Sequence, residues 1–356
     1  MLARMNAPSI TQREFGVLPD GRPVHETTLD NGRGLALSVI NLGGIVSALR
    51  VPDRGGRIDN VVLGFSALAD YVERNPNFGV LVGRYANRIA GGCFVLDGQT
   101  FTLPQNDGSS CLHGGPQGFA RRWWQVQPDG DAALLLRYHS ADGEQGFPGA
   151  MDVTVRYALG SEPGWQMWQI DYEATCDRAT VVNLSQHSYF NLAGGGSALD
   201  HRLMLAASRY TPVDARLIPR DVVTVQDTPF DFRHGTRIGE RIRHGHEQLA
   251  LARGYDHNWV LDRSGPGLAL AARLEEPGSG RVMELHTTEP ALQFYAGNQL
   301  TGSLRGAGGE LMRQGDGLCL EPQHYPDAPN RPDFPSTVLR PGEVYRSRSV
   351  YRFGVL

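Results

Sequence analysis

Between residues 151 and 159, apolar Met151, Val153, Val155, Tyr157 and Leu159 are separated by polar Asp152, Thr154 and Arg156. Trp168, Ile170 and Tyr172 repeat the pattern against Gln169, Asp171 and Glu173. A period of two puts successive side chains on opposite faces of an extended chain, so each segment reads as a half-buried antiparallel strand with one wet face. Phe94-Val95-Leu96 and Thr100-Phe101-Thr102-Leu103 flank Asp97-Gly98-Gln99, and Asp-Gly supplies the positive φ that a tight hairpin needs. Further strands are expected over 35–41, 60–64, 132–138, 180–186, 202–208, 258–262, 268–274, 282–288, 291–296 and 344–353. Helical periodicity is confined to one turn over 66–72 and another over 246–253. The expectation is an all-β fold with two large sheets packed face to face.

The 356 residues can bury a large core, and their 44 Gly and 22 Pro are spread along the chain as many turns require. No linker, charge block or low-complexity tract divides the sequence, so one domain is expected over 1–356, with its core at about 15–354. A formal net charge of -4 without a Lys/Arg run argues against a nucleic-acid surface. No apolar stretch approaches the ~18 residues that span a bilayer. The start, MLARMNAPSITQREF, lacks the apolar stretch of a secretory signal. Cys93, Cys111, Cys176 and Cys319 form no CxxC pair and are expected to be free thiols, which suits a cytoplasmic location.

Several segments interrupt the alternation with polar residues that a strand core should not contain. GRYANRIAGG (83–92) carries Arg84, Asn87 and Arg88; CLHGGPQGF (111–119) carries His113 before two glycines. VVNLSQHSYFNLAGGG (181–196) carries Asn183, His187, Ser188, Tyr189 and Asn191. GYDHNWVL (254–261) carries Asp256, His257 and Asn258, and Gln293 lies in the apolar LQFYAGN. In GDGLCLEPQHYPDAPN (315–330) a short apolar run leads to Glu321, and Pro322, Pro326 and Pro329 are expected to end the strand there. Each has an ordinary structural reading: Arg stems covering apolar faces, a His capping a turn, an Asx turn at Asp256. Together they match a sugar site, because hydroxyls need planar polar partners and the ring face needs an aromatic or aliphatic wall. No HExxH or similar close ligand pair is present, and adjacent Asp256 and His257 would point to opposite faces of a strand, so no metal is expected.

GRYANRIAGGCFVLDGQTFTL, LHGGPQGF, DGEQGFPGAMDVTVRY, NLSQHSYFNLAG, YTPVDARLIP, GYDHNWVL and LEPQHYPDAPN resemble, in this order, the aldose 1-epimerases (galactose mutarotases), from about Leu37 to Phe353. The resemblance implies a single-domain antiparallel β-sandwich, the supersandwich of that family. It implies that His187 is a catalytic acid and Glu321 a catalytic base. It makes Asn87, Arg88, His113, Asp256 and Gln293 sugar ligands and places Ser188 and Tyr189 beside the acid. It implies a free aldose as substrate, no cofactor, and neither nucleic acid nor membrane as partner; the chain is expected to be a monomer or homodimer. For an acid role His187 must hold its proton near neutral pH, and a nearby carboxylate is expected to favour that charged form. Three other functions use the same residues: a glycoside hydrolase with Asp256 and Glu321 as its carboxylate pair, a sugar-binding module without chemistry, and a hexose-6-phosphate epimerase with Arg84, Arg121 and Arg122 as a phosphate clamp.

Overall fold

The computed structural model describes residues 7–356; Met1–Asn6, the start of the N-terminal stretch read above, lie outside the described residues. Three antiparallel sheets dominate. The longest runs in the order Gln125–Pro128, Ala133–Ser140, Met151–Glu162, Trp165–Cys176, Tyr345–Val355, Arg281–Thr287, Ala269–Glu275, Arg202–Leu205 and Thr236–Arg237. The second runs Tyr189–Phe190, Leu318–Gln323, Ala291–Tyr295, Asp256–Val260, Arg209–Thr211 and Val223–Thr224. The third is an N-terminal meander of Ser9–Val17, Pro23–Asp30, Ala36–Ile40, Ile45–Pro52 and Ile58–Asn60.

One apolar core joins all three. Val153, Val155, Tyr157, Trp168 and Ile170 from the first sheet pack with Leu318, Leu320, Leu292, Phe294 and Trp259 from the second and Leu37, Val39 and Leu49 from the third. Tyr351 spans the two larger sheets: its ring stacks on Trp168 at 5.0 Å, and its hydroxyl donates to the Leu320 carbonyl. Burial over Met151–Glu162 alternates as the sequence pattern requires. The hairpin also forms as expected, with Asp97 (φ 50°) and Gly98 (φ 77°) as its two turn residues between Cys93–Leu96 and Gln99–Thr102.

Two segments differ from expectation for identifiable reasons. The strand expected over 180–186 is broken into Thr180–Val181 and Ser185–Gln186 by Asn183. The Asn183 amide donates to the carbonyls of Ala86 and His324 and accepts from the His324 N–H, so it joins two loops instead of continuing a ladder. The strand expected over 60–64 is displaced to Ile58–Asn60, followed by a single bridge from Val62 to Phe190. Both expected helical turns exist, as Leu68–Arg74 and Glu247–Ala252; a short helix at Ile238–Arg241 was not anticipated.

Arg84 is buried by the fold itself. Its guanidinium donates to the carbonyls of Ser140, Ala141 and Pro148 and to the Ser140 hydroxyl, all between 2.8 and 3.0 Å. Replacing Arg84 with Met leaves those buried acceptors unpaired, at a cost of ~1–3 kcal/mol each before relaxation. A loss of at least ~3 kcal/mol in urea unfolding is expected; a loss below ~1 kcal/mol would show that the acceptors find other partners.

The loop after Glu321 is held by a second buried pair. His324 Nδ1 lies 2.7 Å from Glu289 Oε2, and Tyr345 donates to Glu289 Oε1. Burial pulls the His324 imidazole down, but the Glu289 charge and hydrogen bond outweigh it and raise it above 6.5. Burial likewise pushes Glu289 up, and His324 together with the Ser347 and Tyr345 hydroxyls takes it below 4.5. The imidazole's share of stability is therefore full below its unfolded value and is lost as pH rises through its folded value; the carboxylate's share is full above 4.5 and is lost as pH falls through its folded value. The pair contributes most between the two ordinary values, 4.5 and 6.5. Wild type should exceed His324→Gln in Tm most at about pH 6, and the gap should narrow by about pH 9. A gap independent of pH would assign His324 a packing role alone.

Candidate active site

The second sheet builds most of one wall. Asp256 pairs with Tyr295 and Tyr295 with Cys319, while Asn258 pairs with Gln293 and Gln293 with Glu321. These two rows share a face by alternation. The intervening His257, Phe294 and Leu320 turn to the other side, where Phe294 and Leu320 enter the core. Asp256 and His257 thus face opposite ways, and His257 Nε2 meets Gln248 instead of the site.

Glu321 does not end its strand as expected; Leu318–Gln323 continues through Pro322. Pro322 is tolerated because its backbone faces away from Ala291–Tyr295. Its carbonyl accepts from Ser185 Oγ, on a side where the short neighbour Tyr189–Phe190 has already stopped pairing.

Loops complete the wall. His113 (φ 52°) and Asn87 (φ 63°) adopt left-handed backbone conformations and bond to each other: the His113 N–H donates to the Asn87 carbonyl, and the Asn87 N–H donates to His113 Nδ1. Gly114 (φ 79°) packs so closely that a Cβ there would lie 2.1 Å from the Gly83 carbonyl oxygen, so this turn admits no side chain. Arg88 Nε donates to Asp107 at 2.7 Å. His187 is held by its backbone, its N–H donating to Val80 and its carbonyl accepting from Gly79. Its ring stacks on Tyr189 at 5.1 Å and meets His113 edge-on at 5.1 Å.

These residues enclose a cavity of about 230 Å³, below the roughly 300–1,000 Å³ typical of drug-sized ligands. Of the residues expected from sequence, Asn87, Arg88, His113, His187, Tyr189, Asp256 and Glu321 line it. Gln293 and Ser188 do not. Gln293 stands behind Asp256 and donates to its Oδ1 at 2.7 Å; Ser188 gives its backbone N–H to Gln186, and its buried hydroxyl has no protein partner among the described residues. Asp107, Asn77, Tyr295 and Gln299 also line the cavity and were not anticipated. A larger hollow of about 910 Å³ lies against the N-terminal sheet, where three of the four lining carboxylates are engaged: Glu26 with Arg13 and Ser47, Asp59 with Arg281, and Asp316 with the Arg313 N–H; no histidine lines it to pair with the fourth, Glu310, among the described residues.

At the centre, His187 Nε2 lies 3.7 Å from Glu321 Oε2, and both side chains are nearly inaccessible. Burial pushes the Glu321 carboxyl well above 4.5; the Asp256 charge adds to this, and Arg88 opposes it. Burial pulls the His187 imidazole down to about 4. The expectation that a neighbouring carboxylate keeps His187 charged is therefore corrected: desolvation acts on both partners and favours a neutral pair. Asp256 is also raised by burial, with Arg88 and Gln293 opposing.

Donor atoms of His113, His187 and Glu321 lie within 4.8 Å of one another, a spacing that invites a metal. The His113 Nδ1 lone pair is taken by the Asn87 N–H, so this ring carries its hydrogen on Nε2 and offers no second lone pair. Two ligands are fewer than the three that a catalytic zinc site uses.

The aldose 1-epimerase family profile matches residues 25–352. Galactose mutarotase of Rattus norvegicus is 41% identical over 350 residues, covering 98% of this chain and 99% of the rat protein. Aldose 1-epimerase of Escherichia coli K12 is 38% identical over 339 residues, covering 94% and 96%. Among solved structures, galactose 1-epimerase from Lactobacillus acidophilus superposes with a TM-score of 0.86 at 28% identity, covering 98% of this chain and 99% of that one. The crystal structure of an aldose epimerase homologue from C. elegans gives 0.83 at 30% identity, covering 91% and 96%. With an all-β fold shared along its length and a family match that spans nearly all of it, the chain belongs to the aldose 1-epimerase family.

Proposed function

We propose that the protein interconverts the α and β anomers of free aldohexoses such as D-galactose and D-glucose, with His187 as acid and Glu321 as base. The observation that carries this reading is the pairing of one imidazole with one carboxylate, 3.7 Å apart, in a cavity sized for a single monosaccharide. Ring opening needs a base at O1–H and an acid at the ring oxygen O5, each worth roughly 10²–10⁴-fold.

The pair carries one transferable proton. In the empty site burial keeps it on Glu321. A bound sugar brings hydroxyls to the carboxylate, and Arg88 favours its charged form, so the proton passes to His187 Nε2. Glu321 then takes the O1 proton while His187 gives its own to O5. The C1–O5 bond breaks, and C1=O1 forms. The pair ends as it began, with a protonated carboxyl and a neutral imidazole. After rotation about C1–C2, the O5 hydroxyl adds to the other face of the aldehyde and both transfers reverse. The low proton affinity of the buried imidazole makes His187 a strong donor at the moment of transfer. His113, with its hydrogen on Nε2, and Arg88 donate to sugar oxygens; Asp256, steadied by Gln293, accepts from a hydroxyl.

Neutral substrates fit better than phosphorylated ones. Arg84 is spent on backbone carbonyls, Arg121 on the carbonyls of Tyr71 and Val72, and Arg122 lies 3.6 Å from Glu144. Arg88, the only Lys or Arg among the described residues that lines the cavity, is paired with Asp107. A hydrolase would need room on both sides of a glycosidic bond, and the proton partner nearest Glu321 is an imidazole instead of a second carboxyl. No helix among the described residues is long and apolar enough to cross a membrane, and the four cysteines are unpaired, which supports a cytoplasmic setting.

Polarimetry of freshly dissolved α-D-galactose and α-D-glucose tests the reading. Wild type should accelerate decay to the anomeric equilibrium and leave methyl glycosides untouched. Glu321→Gln should lower kcat by about 10²–10⁴-fold with KM within a few-fold. Equal losses in binding and turnover would remove the base role, and wild-type traces no faster than buffer would remove both sugars as substrates.

A further inference from the structure

The face of His187 turned away from Glu321 has a partner that the reaction scheme leaves unused. Cys319 Sγ lies 3.4 Å from His187 Nδ1, and the cysteine is fully buried. Its position follows from register. Cys319 is two residues before Glu321 on the same strand and face, opposite Tyr189 on one side and Tyr295 on the other. One strand therefore presents a carboxylate to Nε2 and a sulfur to Nδ1 of the same ring.

We propose that Cys319 is a positioning residue for the reaction, its sulfur accepting the Nδ1 hydrogen and holding His187 in the tautomer whose Nε2 lone pair faces Glu321. This rests on the reading of His187 as the acid. A neutral imidazole has one N–H and one lone pair, and only the Nδ1–H form can receive a proton at Nε2 and return it to O5. The reverse tautomer would have to give up its only hydrogen and become an imidazolate. The sulfur is the acceptor within reach of Nδ1, at 3.4 Å. Burial pushes the thiol well above 9, so the sulfur is uncharged through the neutral range. That distinguishes it from a carboxylate in the same place, which would orient the ring but also stabilise the imidazolium and weaken it as an acid. The other groups facing the ring are Glu321, His113, Tyr189 and Tyr295. None of them is bonded to Nδ1.

The test combines nitrogen NMR of protein labelled with ¹⁵N-histidine and mutarotation kinetics, using wild type, Cys319→Ala and Cys319→Ser; His187→Asn identifies the His187 signals. Expected are a wild-type His187 protonated at Nδ1, and a mixture of tautomers in Cys319→Ala with kcat lowered about three- to tenfold and KM unchanged. Cys319→Ser, which restores a neutral acceptor, should recover both the tautomer and most of the rate. A wild-type ring protonated at Nε2 would overturn the proposal. So would a Cys319→Ala enzyme of reduced rate with unaltered nitrogen signals, since the sulfur would then contribute packing alone. Wild-type turnover in His187→Asn would instead overturn the acid role of His187, which separates that failure from this one.

Discussion

The register of four short strands, Tyr189–Phe190, Leu318–Gln323, Ala291–Tyr295 and Asp256–Val260, is the constraint on which the site depends. It sets Asp256, Tyr295 and Cys319 in one row and Asn258, Gln293 and Glu321 in the next. A slip of one residue would turn Leu318 and Leu320 into the cavity and Cys319 and Glu321 into the core. That slip is opposed by the apolar partners of Leu318, Leu320, Leu292, Phe294 and Trp259, which belong to the main core. The hydrophobic core thus does more than hold the sheets together: it aims the carboxylate.

The same burial sets the chemistry. Desolvation raises Glu321 and lowers His187, so the pair holds one proton between two sites that both resist charge. In water a carboxylic acid and an imidazole would exchange that proton outright and form a stable ion pair, which would make each a poor catalyst of the other's step. Buried together, the two forms are closer in free energy, and the ligand decides between them. The cost is visible next door. Among the described residues, both polar atoms of Asn258 and of Gln323, and Oε1 of Gln293, are buried on this face without a protein partner. Polar burial of this kind persists only where the rest of the structure over-determines it.

Most of the architecture was legible because alternation is a local signal, and Met151–Glu162 and Trp165–Cys176 show it plainly. The Asp97-Gly98 hairpin was legible for a similar reason: its turn chemistry is written in two residues. Ser9–Val17 carries no such signal, since it is a mostly exposed edge strand whose polarity does not alternate. At the site, residue types were readable but their sides were not. Ser188 lies between two cavity residues, and its hydroxyl is buried outside the cavity; Gln293 does not line the cavity and hydrogen-bonds to Asp256, which does. Asp107 and Asn77 come from turns whose composition predicts only a turn, and Tyr295 looks like any aromatic strand residue. A sequence shows neighbouring charges more readily than the layers that exclude water, and it is burial that pulls the His187 imidazole down.

The walls of the cavity are tied to each other more tightly than the size of the loops would suggest. Asp327, six residues after Glu321, gives its N–H to the Arg88 carbonyl and accepts from the Ala90 N–H. The Tyr85 hydroxyl bridges the Tyr325 carbonyl and the Ala328 N–H, and Asn183 joins Ala86 to His324. The segments that carry the cavity-lining side chains are therefore tied to one another, and in anomer interconversion the part that must turn is C1 of the substrate, after the ring opens. Such a reaction limits where binding energy can be spent. The two anomers are each other's substrate and product, so strong contacts that read the orientation of O1 would hold one anomer back. On the assignment proposed above, Asn87, Arg88, His113 and Asp256, which line the cavity, would grip the part of the sugar that is the same in both anomers, leaving the anomeric centre to a proton donor and acceptor that favour neither face.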